Sequence, residues 1–212
     1  MAKYIIGAIL IILVLGGGYY LLKAKGTGSA PTPTVQQPAT DTYATSTFSI
    51  TYPAGYTADA SYIYDQVNPK KPISGVKFTI PGSMATGTNL SSDTYLSVEW
   101  LPRAKKCTGD IYLAANVHPH SETFASTTYS VATSSGAAAG NIYEESVYAL
   151  QGSSPCIAVR YFIHSGNIVN YPAQGEPGAV REFDRAALLS AFDTIRASLL
   201  LGTPAPAPTT TP

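Results

Sequence analysis

The residues with the plainest capacity for chemistry are histidines. "HPHSE" sets His118, His120 and Glu122 at alternating positions, which on an extended segment point to one face, and His164 is available as a distant further ligand. Such donors suit a zinc site or general acid–base catalysis. The plainer reading is a polar loop from Asn116 to Glu122 made rigid by Pro119. The chain holds only 3 histidines, so none is left to orient the ligands from behind. No metal is expected.

Other constellations fare less well. "SGVK" gives Ser74 and Lys77 the S-x-x-K spacing of penicillin-recognising enzymes, but that chemistry needs the serine at a helix N-terminus, and here the lysine enters a strand pattern. There is no G-x-S-x-G elbow and no phosphate-binding glycine loop. Glu144 and Glu145 are adjacent on a strand pattern and so point to opposite faces. Glu182 and Asp184 fall in the first turn of a helical pattern, where negative charge meets the dipole favourably. Trp100 shares a strand with Tyr95 and reads as core or sheet surface rather than a sugar platform. Asn89-Leu90-Ser91 is a glycosylation sequon whose use depends on the host. No catalytic residue and no cofactor is expected.

Two cysteines, Cys107 and Cys156, are the only ones. Outside the cytoplasm such a pair is most simply a disulfide, closing about 50 residues and contributing roughly 4 kcal/mol in the chain-entropy picture. The alternative is two unrelated buried thiols. Zinc is disfavoured because neither cysteine has a partner at C-x-x-C spacing.

These groups have to be positioned by a domain of ordinary size between a low-complexity start and a Pro/Thr-rich end. Period-two segments run from Thr47 to Pro53, Gly75 to Pro81, Thr94 to Pro102, Asn141 to Leu150 and Cys156 to Ser165. The small, flexible "SSGAAAG" precedes the fourth of these, and the turn signal "QGSSP" precedes the fifth. They predict an antiparallel sheet. From Arg181 to Leu200 the period changes, and Leu188, Phe192, Ile195 and Leu199 form one apolar stripe with Arg185, Asp193 and Arg196 largely off it. That helix is expected to lie across the sheet. The fold class is α+β.

The first residues suggest an address. The uncharged run Tyr4 to Leu22 is long enough, at roughly 1.5 Å per residue, to cross the ~30 Å hydrocarbon core of a bilayer. Gly16-Gly17-Gly18 allow cleavage as a signal peptide, but the run continues past them and ends at Lys23 and Lys25. The expected organisation is a signal anchor over 1–25, a Pro/Thr/Ser-rich stalk over 26–47, an extracytoplasmic domain over 48–200 and a disordered tail over 201–212. Basic residues are balanced across the run, so orientation rests on the stalk, the cysteine pair and a charged content of 12 % against a usual value of about 25 %. The protein is thus expected in the cell membrane as a single-pass protein, N-terminus inside and domain outside, with residues 4–22 meeting lipid. A net charge of zero without any run of Lys or Arg excludes a nucleic-acid surface.

"FSITYPAGY" from Phe48 to Tyr56, the meandering strands and the closing "FDRAALLSAFDTI" resemble PsbP-like domains, the Mog1/PsbP fold. The frame is also similar to that of small membrane-anchored bacterial proteins in which such a domain follows an N-terminal helix. The resemblance implies an α-β-α sandwich around an antiparallel sheet, in a family of binding and assembly factors without a catalytic motif to transfer. Two functions follow as expectations. One is a membrane-tethered binding or scaffolding domain whose partner is another envelope protein or surface component. The other is an extracytoplasmic hydrolase or metal-dependent enzyme using the His118/His120 loop.

Overall fold

In the computed structural model, which describes residues 39–102 and 104–202, the alternating segments become strands of two antiparallel sheets. The strands are β1 (Thr40–Ala44), β2 (Phe48–Pro53), β3 (Thr57–Asp59), β4 (Ile63–Tyr64), β5 (Ile73–Thr79) and β6 (Tyr95–Leu101). They continue with β7 (His120–Phe124), β8 (Thr127–Ala138), β9 (Asn141–Leu150), β10 (Cys156–Gly166) and β11 (Leu200–Leu201). A single helical turn, α1 (Gly82–Ala85), one true helix, α2 (Arg185–Ala197), and two 3-10 turns, Gly109–Tyr112 and Ile168–Asn170, complete the regular structure among the described residues. The small sheet has the order β1-β2-β11; the large one has the order β3-β5-β6-β10-β9-β8-β7, with β4 beside β5.

β10 lies centrally in the large sheet and shows how both faces are used. Ile157, Val159, Tyr161 and Ile163 join the main core, in which Phe48 and Ile50 of β2 and Leu188, Phe192 and Ile195 of α2 are also buried. The small sheet and α2 therefore cover one face together. Cys156, Ala158 and Arg160 turn to the other face, where Tyr64, Tyr112 and Leu113 close over them. No helix covers this second face; the chain between β6 and β7 does so as irregular backbone with one 3-10 turn, Gly109–Tyr112. Gly109 belongs to that turn because a side chain there would strike the backbone of β8 and β9, Ala132 N at 2.7 Å and Val147 O at 2.9 Å.

The α-β-α sandwich is therefore corrected to a predominantly β architecture with one helix. The physical reason is in "PRAKKCTGDIYLAANVHP", which has prolines at both ends and no apolar stripe at helical period. A disulfide between Cys107 and Cys156, with Cα atoms 5.1 Å apart, fastens that segment to β10 instead. The expected transmembrane anchor is not supported: among the described residues no helix is long and apolar enough to cross a membrane, and residues 1–25, on which that expectation falls, lie outside them.

Boundaries shift as well. Within the segment assigned to the stalk, Thr40–Ala44 form β1, while residues 26–38 lie outside the description. Leu201, assigned to the tail, pairs with Phe48 in β11; residues 203–212 are not described. The helix starts later than Arg181 because Asp184 caps it, its carboxylate accepting from Ala187 N at 2.9 Å. "SSGAAAG" is not a flexible link but the outer half of β8, paired to β9 out to Ala138 opposite Asn141. The two-residue turn between them, Ala139 (φ 49°) and Gly140 (φ 82°), has the positive φ pair that matches hairpin twist.

Candidate functional site

The second face of the large sheet holds a buried ionic cluster. Arg160, in the middle of β10, is fully buried, and its neighbours across the ladder are Ser97 on β6 and Val147 on β9. Its Nε donates to Glu99 Oε1 at 2.7 Å and its Nη2 to Glu99 Oε2 at 2.9 Å, the paired fork that a planar guanidinium forms with a carboxylate. Nη2 also donates to the Tyr112 carbonyl at 2.7 Å, and Nη1 donates to Glu145 Oε2. The Tyr64 ring lies on the guanidinium, 3.6 Å from its centroid to Cζ, while the Tyr64 hydroxyl donates to Glu145 Oε2 at 2.9 Å. Burial opposes the charge on Arg160, yet the Glu99 carboxylate overrides it and holds the guanidinium more firmly protonated than usual.

Beside this cluster a cleft of about 880 Å³ opens between the segment Tyr62 to Gln66 and the sheet. Its walls carry Tyr62, Tyr64, Tyr95, Tyr143 and Phe162, with the charged groups Asp65, Lys77, Asp93 and Glu145 among them. Tyr95 and Phe162 are cross-strand partners whose rings stack at 4.9 Å, and Tyr143 stacks on its own cross-strand partner His164 at 4.5 Å. Tyr95 and Phe162 thus turn a ring face to each other, as do Tyr143 and His164.

The tyrosines of this region are held neutral. Burial pushes the Tyr95 phenol up to about 12, and raises Tyr62 and Tyr64 further, aided at Tyr62 by the nearby Glu99 carboxylate. The Tyr62 and Tyr95 hydroxyls share a hydrogen bond of 2.9 Å, and Lys77 Nζ stands over both rings at 5.5 and 5.7 Å on its way to Asp59, 3.8 Å away. At the far end His164 Nδ1 meets Asp93 Oδ1 at 2.8 Å. Burial raises the Asp93 carboxyl, but hydrogen bonds from Ser91 and His164 outweigh it and leave the group below its ordinary value.

The sequence-derived candidates are dispersed. His118 and His120 are exposed, and "HPHSE" is not wholly loop, since His120 and Glu122 lie in β7. His120 and Glu122 share the core-side face of that strand, where Glu122 meets Arg196 at 3.7 Å. His164 sits on the opposite face, three strands away and displaced along the ladder, its row crossing β8 at Gly136 while His120 is opposite Val131. Among the described residues no group of three or more His, Cys, Asp or Glu is placed to hold a metal ion. Ser74 and Lys77 lie on opposite faces of β5, three residues apart on a pleated strand. Glu144 and Glu145 diverge as expected, the first to Arg185 at 2.9 Å and the second to the Arg160 cluster. Trp100 packs on Phe48 at 6.0 Å against the main core. Asn89 is buried, its amide donating to Gly166 O at 2.8 Å and accepting from Phe183 N at 2.9 Å, so the folded domain hides the sequon.

Arg160 and Glu99 escaped the reading of the sequence. The available signal was one letter of opposite charge in each of two otherwise apolar strands, "YLSVEWL" and "CIAVRYFI", at positions that a shared ladder brings onto one face. Arg196 escaped too. It lies off the helical stripe but is buried, with Cζ 3.7 Å from the Tyr148 ring and 4.4 Å from the Phe124 ring.

No family model, no curated protein and no solved structure matches this chain.

Proposed function

We propose that this chain is a non-enzymatic binding domain of an oxidising compartment outside the cytoplasm, and that it binds through the cleft between Tyr62–Gln66 and the second face of the large sheet. The observation that carries the reading is the Arg160 cluster. A fully buried guanidinium fixes Glu145 and Tyr64, two walls of the cleft, from behind, which is the pre-organisation that a recognition surface requires. Glu145, which lines the cleft, is bonded to Arg160 and Tyr64, and the His118/His120 loop does not join the cleft, since His120 lies on the face of the large sheet opposite His164, the histidine that meets Asp93 there. The Cys107–Cys156 bond supports the compartment, because such bonds persist where thiols are not kept reduced.

A chemically mixed fragment library, followed by amide shift perturbation on the ¹⁵N-labelled full chain, tests the reading. Hits are expected to cluster at residues 62–66 and at Tyr95, Tyr143 and Phe162. Hits gathered on β7, or ester or peptide hydrolysis lost with His118→Ala and His120→Ala, would replace it with the enzyme reading.

A further inference from the structure

The charges around the cleft do not balance. Arg160, one cation, stands between two carboxylates, Glu99 and Glu145; the side chains of Arg160 and Glu99 are wholly buried, while that of Glu145 is 22 % exposed. The surplus negative charge of this cluster therefore reaches solvent through Glu145, which lines the cleft. Among the described residues that line the cleft, the one lysine, Lys77, is paired with Asp59, and Asp93 is hydrogen-bonded to His164. Asp65, on the opposing wall, accepts from the neutral amide of Gln66, Nε2 to Oδ1 at 2.7 Å, with no cation paired to it among the described residues, and adds a second negative charge. Like charges confined between low-dielectric walls reinforce one another, and a cation entering between them gains from both.

The walls fix the shape of that cation. The carboxylates repel phosphates and acids. The molecule supplies its own example of what fits: the Lys77 stem brings its ammonium over the Tyr62 and Tyr95 rings before ending at a carboxylate. Phe162, Tyr143 and Glu145 set rings beside a carboxylate on the same cleft, and there the carboxylate is shared with Arg160, whose single charge is already divided between Glu99 and Glu145.

We propose that the cleft takes an alkylammonium group, its stem against Phe162 and Tyr143 and its head at Glu145 and Asp65. This deepens the binding reading above and rests on it. The same chemistry is presented by a free amine and by a lysine side chain, and the test separates them.

The ¹⁵N-labelled full chain is titrated with n-pentylammonium, with Nα-acetyl-lysine methylamide, and with the neutral counterparts n-hexanol and Nα-acetyl-norleucine methylamide. Both ammonium probes are expected to shift the amides of Tyr143, Glu145 and Phe162 and to bind about tenfold more tightly than their counterparts, with the advantage shrinking as salt is raised. Tighter binding of the lysine derivative assigns a peptide source, and tighter binding of pentylammonium a free amine. Asp65→Asn, an exposed position outside the Arg160 cluster, is expected to weaken the ammonium probes by about threefold and leave the neutral ones unchanged. Glu145→Gln should weaken them further, and if that variant does not fold, the Asp65→Asn result decides. Equal affinity for charged and neutral probes overturns the ammonium assignment while leaving the binding cleft standing. No shift at the cleft with any probe, in this set or in the fragment library, overturns the cleft itself.

Discussion

Arg160 is the residue whose removal the fold should tolerate least. Without it Glu99 is a buried carboxylate facing only Ser97 Oγ at 2.8 Å and Tyr62 Oη at 3.3 Å, and Glu145 loses its cation. Arg160→Met is expected to destabilise the domain by about 3–5 kcal/mol, whereas Arg160→Met combined with Glu99→Leu should recover much of that loss, because a buried pair contributes little beyond what apolar packing supplies. Urea unfolding midpoints measure both, and a single variant within about 0.5 kcal/mol of wild type would contradict this account. The tyrosines give a pH signature with a definite sign. Tyr56 and Tyr95 are pushed by burial up to about 12, against an unfolded value near 10. Between those values the native state keeps protons that the unfolded chain has shed, so stability is intact below about pH 10 and falls as pH rises toward 12. Phenolate absorbance should accordingly appear in two stages, exposed tyrosines first and the buried set together with unfolding. Of these residues the cysteine pair was legible from its count alone. The ion pair was not, because β10 is buried on both faces, and in such a strand the alternation that identifies an inward charge disappears.

Among the elements, α2 was readable and β8 was not, for opposite physical reasons. The helix carries its own signal in Leu188, Phe192 and Ile195, all now buried against the large sheet, with the Phe192 ring 5.1 Å from Tyr161. Phe192→Ala is therefore expected to cost about 3–5 kcal/mol, while Arg185→Ala, which breaks a half-exposed pair with Glu144, should cost less than about 1 kcal/mol; thermal unfolding of the two variants side by side would show the contrast. In β8 the residues Ser134 to Ala138 have little strand preference, and their extended form is imposed by the ladder to β9. β1 is a similar case. Within a stretch that reads as stalk, Tyr43 alone turns inward, to rings of Phe48 and Phe78 at 6.0 and 6.1 Å. Both strands exist because a neighbour offers a complete set of backbone partners, information that lies far away in the sequence. Arg196 shows the same limit from the helix side, since the aromatic rings around it come from β7, β8, β9 and β10.

At the scale of the molecule, the expected layers were half legible. An antiparallel sheet with a helix across one face was readable from two periodicities, but the cover of the second face obeys neither period and is a loop fastened by one covalent bond. The small sheet was hidden because β1 lies in the segment assigned to the stalk and β11 straddles the boundary assigned between domain and tail. That sheet has a mechanical meaning. β2 lies between the first and the last strands described, with β1 beginning opposite Pro53 and β11 ending opposite Phe48, at the two ends of the same strand. A pull on the chain through those points drags β1 and β11 in opposite directions along the axis of β2. The hydrogen bonds of each pair then bear the load together, in shear, rather than parting one after another as in a zipper. β11, with two paired residues and the added bond from Gly202 N to Thr47 O at 2.7 Å, is the shorter grip and the first to slip, so under tension the domain yields from its C-terminal strand while β1 and the large sheet still hold.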